Sequence, residues 1–177
     1  MKLTAPRLAI AAALGSVLGT SVPAMAQLEE VIVTAQKREQ GLLDVPISVA
    51  TLSGERFTSM FEGGADIRAL SARVPGLYAE SSNGRVAPRF YIRGLGNIDF
   101  DLAASQPVSI IMDDVVKENV VLKSFPLFDI ERVEVLRGPQ GSLFGRNTTA
   151  GIIKFDSNKP TQDFEGRAKI DVGELGT

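Results

Sequence analysis

Apolar and polar positions alternate in blocks along most of the chain. From Val45 to about Lys159, apolar runs of about four to six residues are separated by clusters of Gly, Pro, Asn and Asp, as in a domain of strands and short helices. Residues 47–52 read as a strand, Ser53 as an N-cap and 55–61 as a short helix. Ile67, Leu70 and Val74, spaced three and four apart, predict a second helix over 66–73, which Pro75 and Gly76 end. Residues 77–79, 90–93 and 108–112 are expected as strands. Asp113 and Asp114 form a turn from which Val115 and Val116 return, and 125–130 is irregular or one helical turn. Residues 133–136 and 152–155 are the last two strands. Together these predict an α+β fold, a small mixed sheet of about four strands with short helices and loops on its faces.

The two ends differ from this middle. Lys2 and Arg7 precede an apolar run over 8–18, and Pro23 and Ala24-Met25-Ala26 supply the small-x-small pattern that a signal peptidase reads. A membrane anchor needs about 20 apolar residues, and Gly15, Ser16, Gly19, Thr20 and Ser21 interrupt this run. Residues 1–26 are therefore expected to be a signal peptide cleaved after Ala26. Residues 27–44 are polar and charged apart from one small block, Val31-Ile32-Val33, and the main domain occupies 45–160. Over 161–177 the pattern changes to period two. Arg167, Lys169 and Asp171 alternate with Ala168, Ile170 and Val172 behind Phe164, over about the ten residues that a tilted strand needs to cross a bilayer. Taken alone, that segment reads better as an ordinary half-exposed strand.

Composition removes most chemistry. Among the 177 residues there is no Cys, His or Trp, so disulfides, thiolate zinc sites and Ser-His-Asp triads are excluded. With 6% aromatic residues the chain cannot supply the girdles of a complete outer-membrane barrel. Loss of Lys2 and Arg7 with the signal leaves a mildly acidic mature chain, so no nucleic-acid partner is expected. Gly138, Gly141, Gly145 and Gly151 do not have phosphate-loop spacing and read as turns passing close to a surrounding wall. Asn97, Asp99 and Asp101 begin like a calcium loop, but Leu102 and Val108 stand where the required glycine and glutamate belong. The carboxylates there read as solvated, and Asp113-Asp114 reads as a turn rather than a catalytic pair. Neither an enzyme nor a cofactor is expected.

Five stretches carry a family resemblance. Residues 29–35, Glu-Glu-Val-Ile-Val-Thr-Ala, resemble the TonB box of TonB-dependent outer-membrane receptors. Residues 129–145, from Asp129-Ile130-Glu131-Arg132-Val133-Glu134-Val135 to Gly145, resemble the most characteristic stretch of that family's plug domain. Tyr91-Ile92-Arg93-Gly94, Val74-Pro75-Gly76 and Asn147-Thr148-Thr149-Ala150-Gly151 stand at the matching places, so the resemblance spans 28 to about 161. Full receptors continue into a barrel of about 22 strands. Residues 161–177 would start that barrel, and the rest lies outside this chain.

What the resemblance implies is energised uptake of a scarce nutrient, most often an iron chelate of the siderophore kind, with the plug gating the pore. The partners implied are the C-terminal domain of TonB with its ExbB/ExbD energising complex, a transmembrane β-barrel and a small-molecule ligand. Glu30, Val31, Ile32, Val33, Thr34 and Ala35 would bind TonB. The β-branched block, in an exposed and flexible neighbourhood, is suited to adding as a strand to a partner's sheet edge. Arg93 and Arg137 each end an apolar strand before a glycine. In the family such arginines lock the plug to glutamates on the barrel wall; an intradomain pair with Glu131 or Glu134 is the equal alternative. Asn97, Asp99, Phe100, Asp101, Lys117, Glu118 and Asn119 would lie in outward loops that touch substrate. The compartment implied is the outer membrane, or the periplasm if this stretch exists alone. A free periplasmic module binding TonB or ligand without transport is the competing reading.

Overall fold

Strands with apolar residues on both alternating faces dominate the centre of the sequence, and they form a sheet that is covered on both sides. A computed structural model describes residues 30–61, 66–82, 84–99, 101, 103–166, 168 and 170. The chain divides into two units, Met1–Glu30 and Val31–Thr177, and the described elements lie in the second. The signal peptide expected over 1–26 lies outside the described residues.

The main sheet has five strands, β3 (Ser48–Ser53), β6 (Val108–Met112), β7 (Val115–Lys117), β8 (Ile130–Arg137) and β9 (Gly151–Ser157), in the spatial order β3-β8-β9-β6-β7. All neighbours are antiparallel except β6 and β9. Two small ribbons stand outside it. One pairs β1 (Ile32–Val33) with β2 (Gln40–Gly41), and the other pairs β4 (Leu77–Glu80) with β5 (Arg89–Ile92).

The pleat assigns alternate residues of each strand to opposite faces. On the first face Leu52, Val108, Ile110, Val133, Val135, Ile153 and Phe155 meet a layer carrying Phe57, Phe61, Ile67, Leu70, Val74, Phe90 and Ile92. That layer is helix α1 (Gly54–Met60), a 3₁₀ helix (Ile67–Ala72) and the β4–β5 ribbon. On the second face Ile111, Leu136 and Ile152 are covered by Val33, Ala35, Val45 and Phe144, the last from helix α2 (Gly141–Phe144).

Several local outcomes differ from expectation. The segment expected as an α-helix over 66–73 is a 3₁₀ helix. There residues i and i+3 stack, so Ile67 and Leu70 share one side, and the Asp66 side chain caps it by accepting from the Arg68 N–H at 2.9 Å. The sheet has five strands rather than about four, because Val115–Lys117 extends the return from the Asp113-Asp114 turn into a full edge strand. Both turn residues have φ > 0, 47° and 65°, as a tight two-residue hairpin turn requires. The Asp113 carboxylate accepts from the Ser157 N–H at 2.9 Å, which offsets part of that strain. Phe164, Glu165, Gly166, Ala168 and Ile170 of the expected barrel strand are described and form no strand; its remaining residues are outside the described set.

Gly151 does not face a surrounding wall. Its φ is +148°, and a Cβ there would stand 2.2 Å from the Leu136 carbonyl oxygen and 2.9 Å from the Ile92 Cδ1. The bare Cα lets β5 close down on β8 and β9.

Lys123, at the end of a 3₁₀ helix (Val120–Lys123), is a buried cation at 1% exposure. It donates to the Val108 carbonyl at 2.9 Å and to Gln106 Oε1 at 3.4 Å. Burial pushes its pKa down to about 8, with Glu118 opposing weakly. The unfolded chain keeps this proton up to about 10.5, so between the two values unfolding takes up a proton and rising pH favours the fold. Chemical-denaturation midpoints should therefore rise between pH 8 and 10.5, by up to about 3 kcal/mol from this group. The rise should vanish in Lys123→Met.

Candidate functional site

The second face of the sheet is divided along its strands. Toward one end it is apolar, with Val49, Leu136 and Ile152; toward the other it carries Arg132 and Glu134 on β8 and Lys154 and Asp156 on β9. Register sets Arg132 opposite Asp156 and Glu134 opposite Lys154. Signs therefore alternate both along and across the strands. Arg132 is 3.0 Å from Glu134 and 3.2 Å from Asp156, and Lys154 pairs with Asp156.

Residues 31–41 lie over this square. The Leu42 N–H donates to the Val31 carbonyl at 2.8 Å, and β1 pairs with β2. The Thr34 N–H donates to Glu134 Oε1 at 2.7 Å, and its hydroxyl donates to Asp156 Oδ2 at 3.2 Å and accepts from Lys154 Nζ at 2.8 Å. Glu134 and Lys154 are accordingly buried, at 0% and 3% exposure. Burial drives the Glu134 carboxyl above the usual carboxylate range, against the Thr34 N–H and the charges of Arg132 and Lys154. Burial pushes Asp156 the same way, but there Lys154 and Arg132 outweigh it and hold the carboxyl below its ordinary value.

Only part of the 30–35 segment is exposed, where exposure throughout is expected from its neighbourhood. Val31 and Ile32 are exposed, whereas Val33 and Ala35 are fully buried against the sheet. The apolar pattern that suits a strand for addition to a partner also suits it for the sheet's own second face, where Val33 and Ala35 pack with Val45 and Phe144. Sequence reading missed the charged square. Its signal was present as Arg132-x-Glu134 and Lys154-x-Asp156, charges placed in period two inside otherwise apolar strands.

Arg93 and Arg137 each follow a residue that packs at Gly151, Ile92 through its Cδ1 and Leu136 through its carbonyl oxygen. Arg93 is exposed, has φ 53° and lies with Gly94 in a tight turn closed by Ile92–Leu95 bonds of 3.0 Å. Arg137 is half-buried and donates to Ser48 Oγ at 3.1 Å. Among the described residues neither arginine makes an ion pair; Glu134 is engaged by Arg132 and Thr34, and Glu131 is exposed.

The two loops expected to face substrate are ordered from within. Asn97 accepts from the Asp99 N–H, Asp99 from the Asp101 N–H and Asp101 from the Ala103 N–H, at 2.8, 3.0 and 2.9 Å. These oxygens hold the loop's own backbone, and among the described residues no group of acidic side chains could hold a metal ion. Phe100 lies outside the described residues. Lys117 ends β7, Glu118 accepts from Arg146 Nε at 2.8 Å, and Asn119 caps the following 3₁₀ helix. Lys123, which sequence reading overlooked, ties the roots of the two loops together through Gln106. The Tyr91 hydroxyl donates to Glu80 and lies 3.3 Å from the Asn97 carbonyl, which brings the first loop to the β4–β5 ribbon, where the Tyr78 and Tyr91 rings meet at a tilt with centroids 5.6 Å apart.

The family model described as the TonB-dependent Receptor Plug Domain matches residues 41–152, and the chain belongs to that family. It is 28% identical over 172 residues to the ferrioxamine B receptor of Salmonella typhimurium, covering 90% of this chain and 24% of that receptor. With the vitamin B12 transporter BtuB of Vibrio vulnificus it shares 30% identity over 130 residues, 71% of this chain and 20% of that one. The chain thus spans about a quarter of the length of these relatives. Among solved structures, the ferric yersiniabactin uptake receptor FyuA of Yersinia pestis superimposes with a TM-score of 0.57 at 26% identity, over 64% of this chain and 17% of that one. The ferripyoverdine receptor of Pseudomonas aeruginosa shares the fold, with a TM-score of 0.57 at 19% identity over 76% of this chain and 17% of that one. These relatives are transport receptors and not enzymes.

Because neither arginine has an acidic partner among the described residues, their removal should barely touch the domain's own stability. Exposed charges contribute about 0–1 kcal/mol. Denaturant melts of Arg93→Ala should therefore fall within about 0.5 kcal/mol of the parent, and those of Arg137→Ala, which loses one hydrogen bond, within about 1.5 kcal/mol. A loss above about 2 kcal/mol would reveal an internal partner for the arginine concerned.

Proposed function

We propose that this chain is the gate and coupling end of an outer-membrane receptor for energised uptake of a scarce nutrient, an iron chelate of the siderophore kind. The observation that carries this reading is the plug fold with the short strand Ile32–Val33 paired in its own ribbon rather than built into the main sheet. Such a strand can transfer its main-chain bonds to the sheet edge of another protein, and the partner proposed is the C-terminal domain of TonB, driven by ExbB/ExbD. Relatives named for ferrioxamine B and structures named for ferric yersiniabactin and ferripyoverdine support an iron chelate as the ligand. An iron-regulated outer membrane virulence protein of Vibrio cholerae, 28% identical over 148 residues, supports the outer membrane as the compartment. These comparisons lend no support to a free periplasmic module.

In that receptor the plug sits within a transmembrane β-barrel. Arg93 and Arg137, which make no ion pair among the described residues, would meet carboxylates of the barrel wall. The loops around Asn97, Asp99 and Asp101 and around Lys117, Glu118 and Asn119 are the plug's contribution to the ligand pocket.

Titration of a peptide covering residues 27–40 against the C-terminal domain of TonB tests the coupling reading. Proline removes a backbone donor and blocks strand addition, so Val31→Pro or Val33→Pro should weaken binding at least tenfold, about 1.4 kcal/mol. Equal affinity of parent and proline peptides would overturn the assignment of this segment.

A further inference from the structure

Two members of the charged square, Arg132 and Glu134, lie within the matched family range and two, Lys154 and Asp156, beyond it, and together they are an unusual use of the best-covered positions in the fold. Glu134 and Lys154 sit at the centre of strands whose neighbours are Val, Leu, Ile and Phe. Aliphatic residues there would extend the apolar half of the same face, and the strap over them could then be wholly apolar. Instead Thr34 stands over the square as a double adaptor. Its N–H meets the Glu134 carboxylate, and its hydroxyl both donates to Asp156 and accepts from Lys154. A hydroxyl serves the last two groups together through one oxygen, since one requires a donor and the other an acceptor. Val33 and Ala35, on either side of Thr34, are buried against the sheet. The Lys37 N–H closes the turn on the Thr34 carbonyl at 2.9 Å.

The geometry points to Arg132, Glu134, Lys154 and Asp156 as a polar receiving site for Thr34, a latch that holds residues 31–41 against the plug and sets how readily they come away. These four are positioning residues. They act on the coupling segment through Thr34, and the role given to release rests on the coupling reading above. The groups of the latch can exchange their bonds for water when the strap lifts, so the strap is held in one register without being made permanent. Arg132 and Asp156, opposite one another at the more exposed end of the square, keep the charges balanced when Thr34 is absent.

Amide hydrogen exchange on the full 177-residue chain tests the latch. Thr34→Val keeps the shape and removes the hydroxyl; Lys154→Met acts from the sheet side and leaves the strap's sequence intact. Each should speed exchange of the residue-34 and Lys37 amides at least tenfold while the Val135 and Ile153 amides keep parental rates, and Thr34→Ser should restore the slow rates. Parental exchange at residue 34 and Lys37 in both variants would overturn the latch, as would equal acceleration of strap and sheet. Binding of the C-terminal domain of TonB to the same proteins separates the two readings. If both hold, Lys154→Met binds it more tightly than the parent chain. If the strap loosens as expected and no variant binds TonB, the latch stands and the coupling reading falls.

Discussion

The rest of the structure depends on one constraint: β8 and β9, at the centre of the sheet, are buried on both faces. Strands in that position cannot leave either side to water, so each face requires its own cover. The first is closed by α1, the 3₁₀ helix (Ile67–Ala72) and the β4–β5 ribbon, all drawn from the sequence between β3 and β6. The second is closed by chain that precedes the sheet, residues 31–45, together with α2. The part of the molecule best suited to meeting another protein is therefore also part of its own packing.

Magnitudes show why that double duty is workable. Burying Val33 contributes about 1.5–3 kcal/mol. The three bonds at Thr34 contribute about 0.5–1.5 kcal/mol each once exchange with water is counted. Against them stands the dehydration of Glu134, visible in its raised pKa, which is relieved when the strap lifts. The attachment is specific in register and modest in strength. The same argument separates Arg93 and Arg137 from Arg132. Arg132 is fixed between two carboxylates of its own domain, while the other two guanidinium groups make no ion pair among the described residues.

Most strands were legible in the sequence because their signal is local. Residues 108–112 stand where the pattern placed them, and 133–136 and 152–155 are the middles of β8 and β9. Helix α1 was legible for the same reason. What was not legible depends on tertiary contact. The 3₁₀ form over Ile67–Ala72 needs the capping geometry of Asp66. Helix α2 was hidden by Gly141 and by a reading of its neighbourhood as turns. The docking of Val33 and Ala35 could not be seen from a polar neighbourhood, because what buries them lies about a hundred positions away in the chain. The square of charges was half visible, since each strand showed its pair, but which charges face each other is fixed by register. Lys123 carried no sequence signal, for a lysine after two valines and a leucine reads as an exposed helix end.

The β4–β5 ribbon carries a property that needs no label to exploit. The chain has two tyrosines and no tryptophan, and both tyrosines face each other in that ribbon, with Tyr91 bonded to Glu80 and 3.3 Å from the Asn97 carbonyl of the loop. Near-ultraviolet absorption and emission beyond the phenylalanines thus come from one small region, the ribbon beside the loop proposed to touch ligand. The protein carries its own optical reporter there, one that is blind to the strap on the opposite face of the sheet.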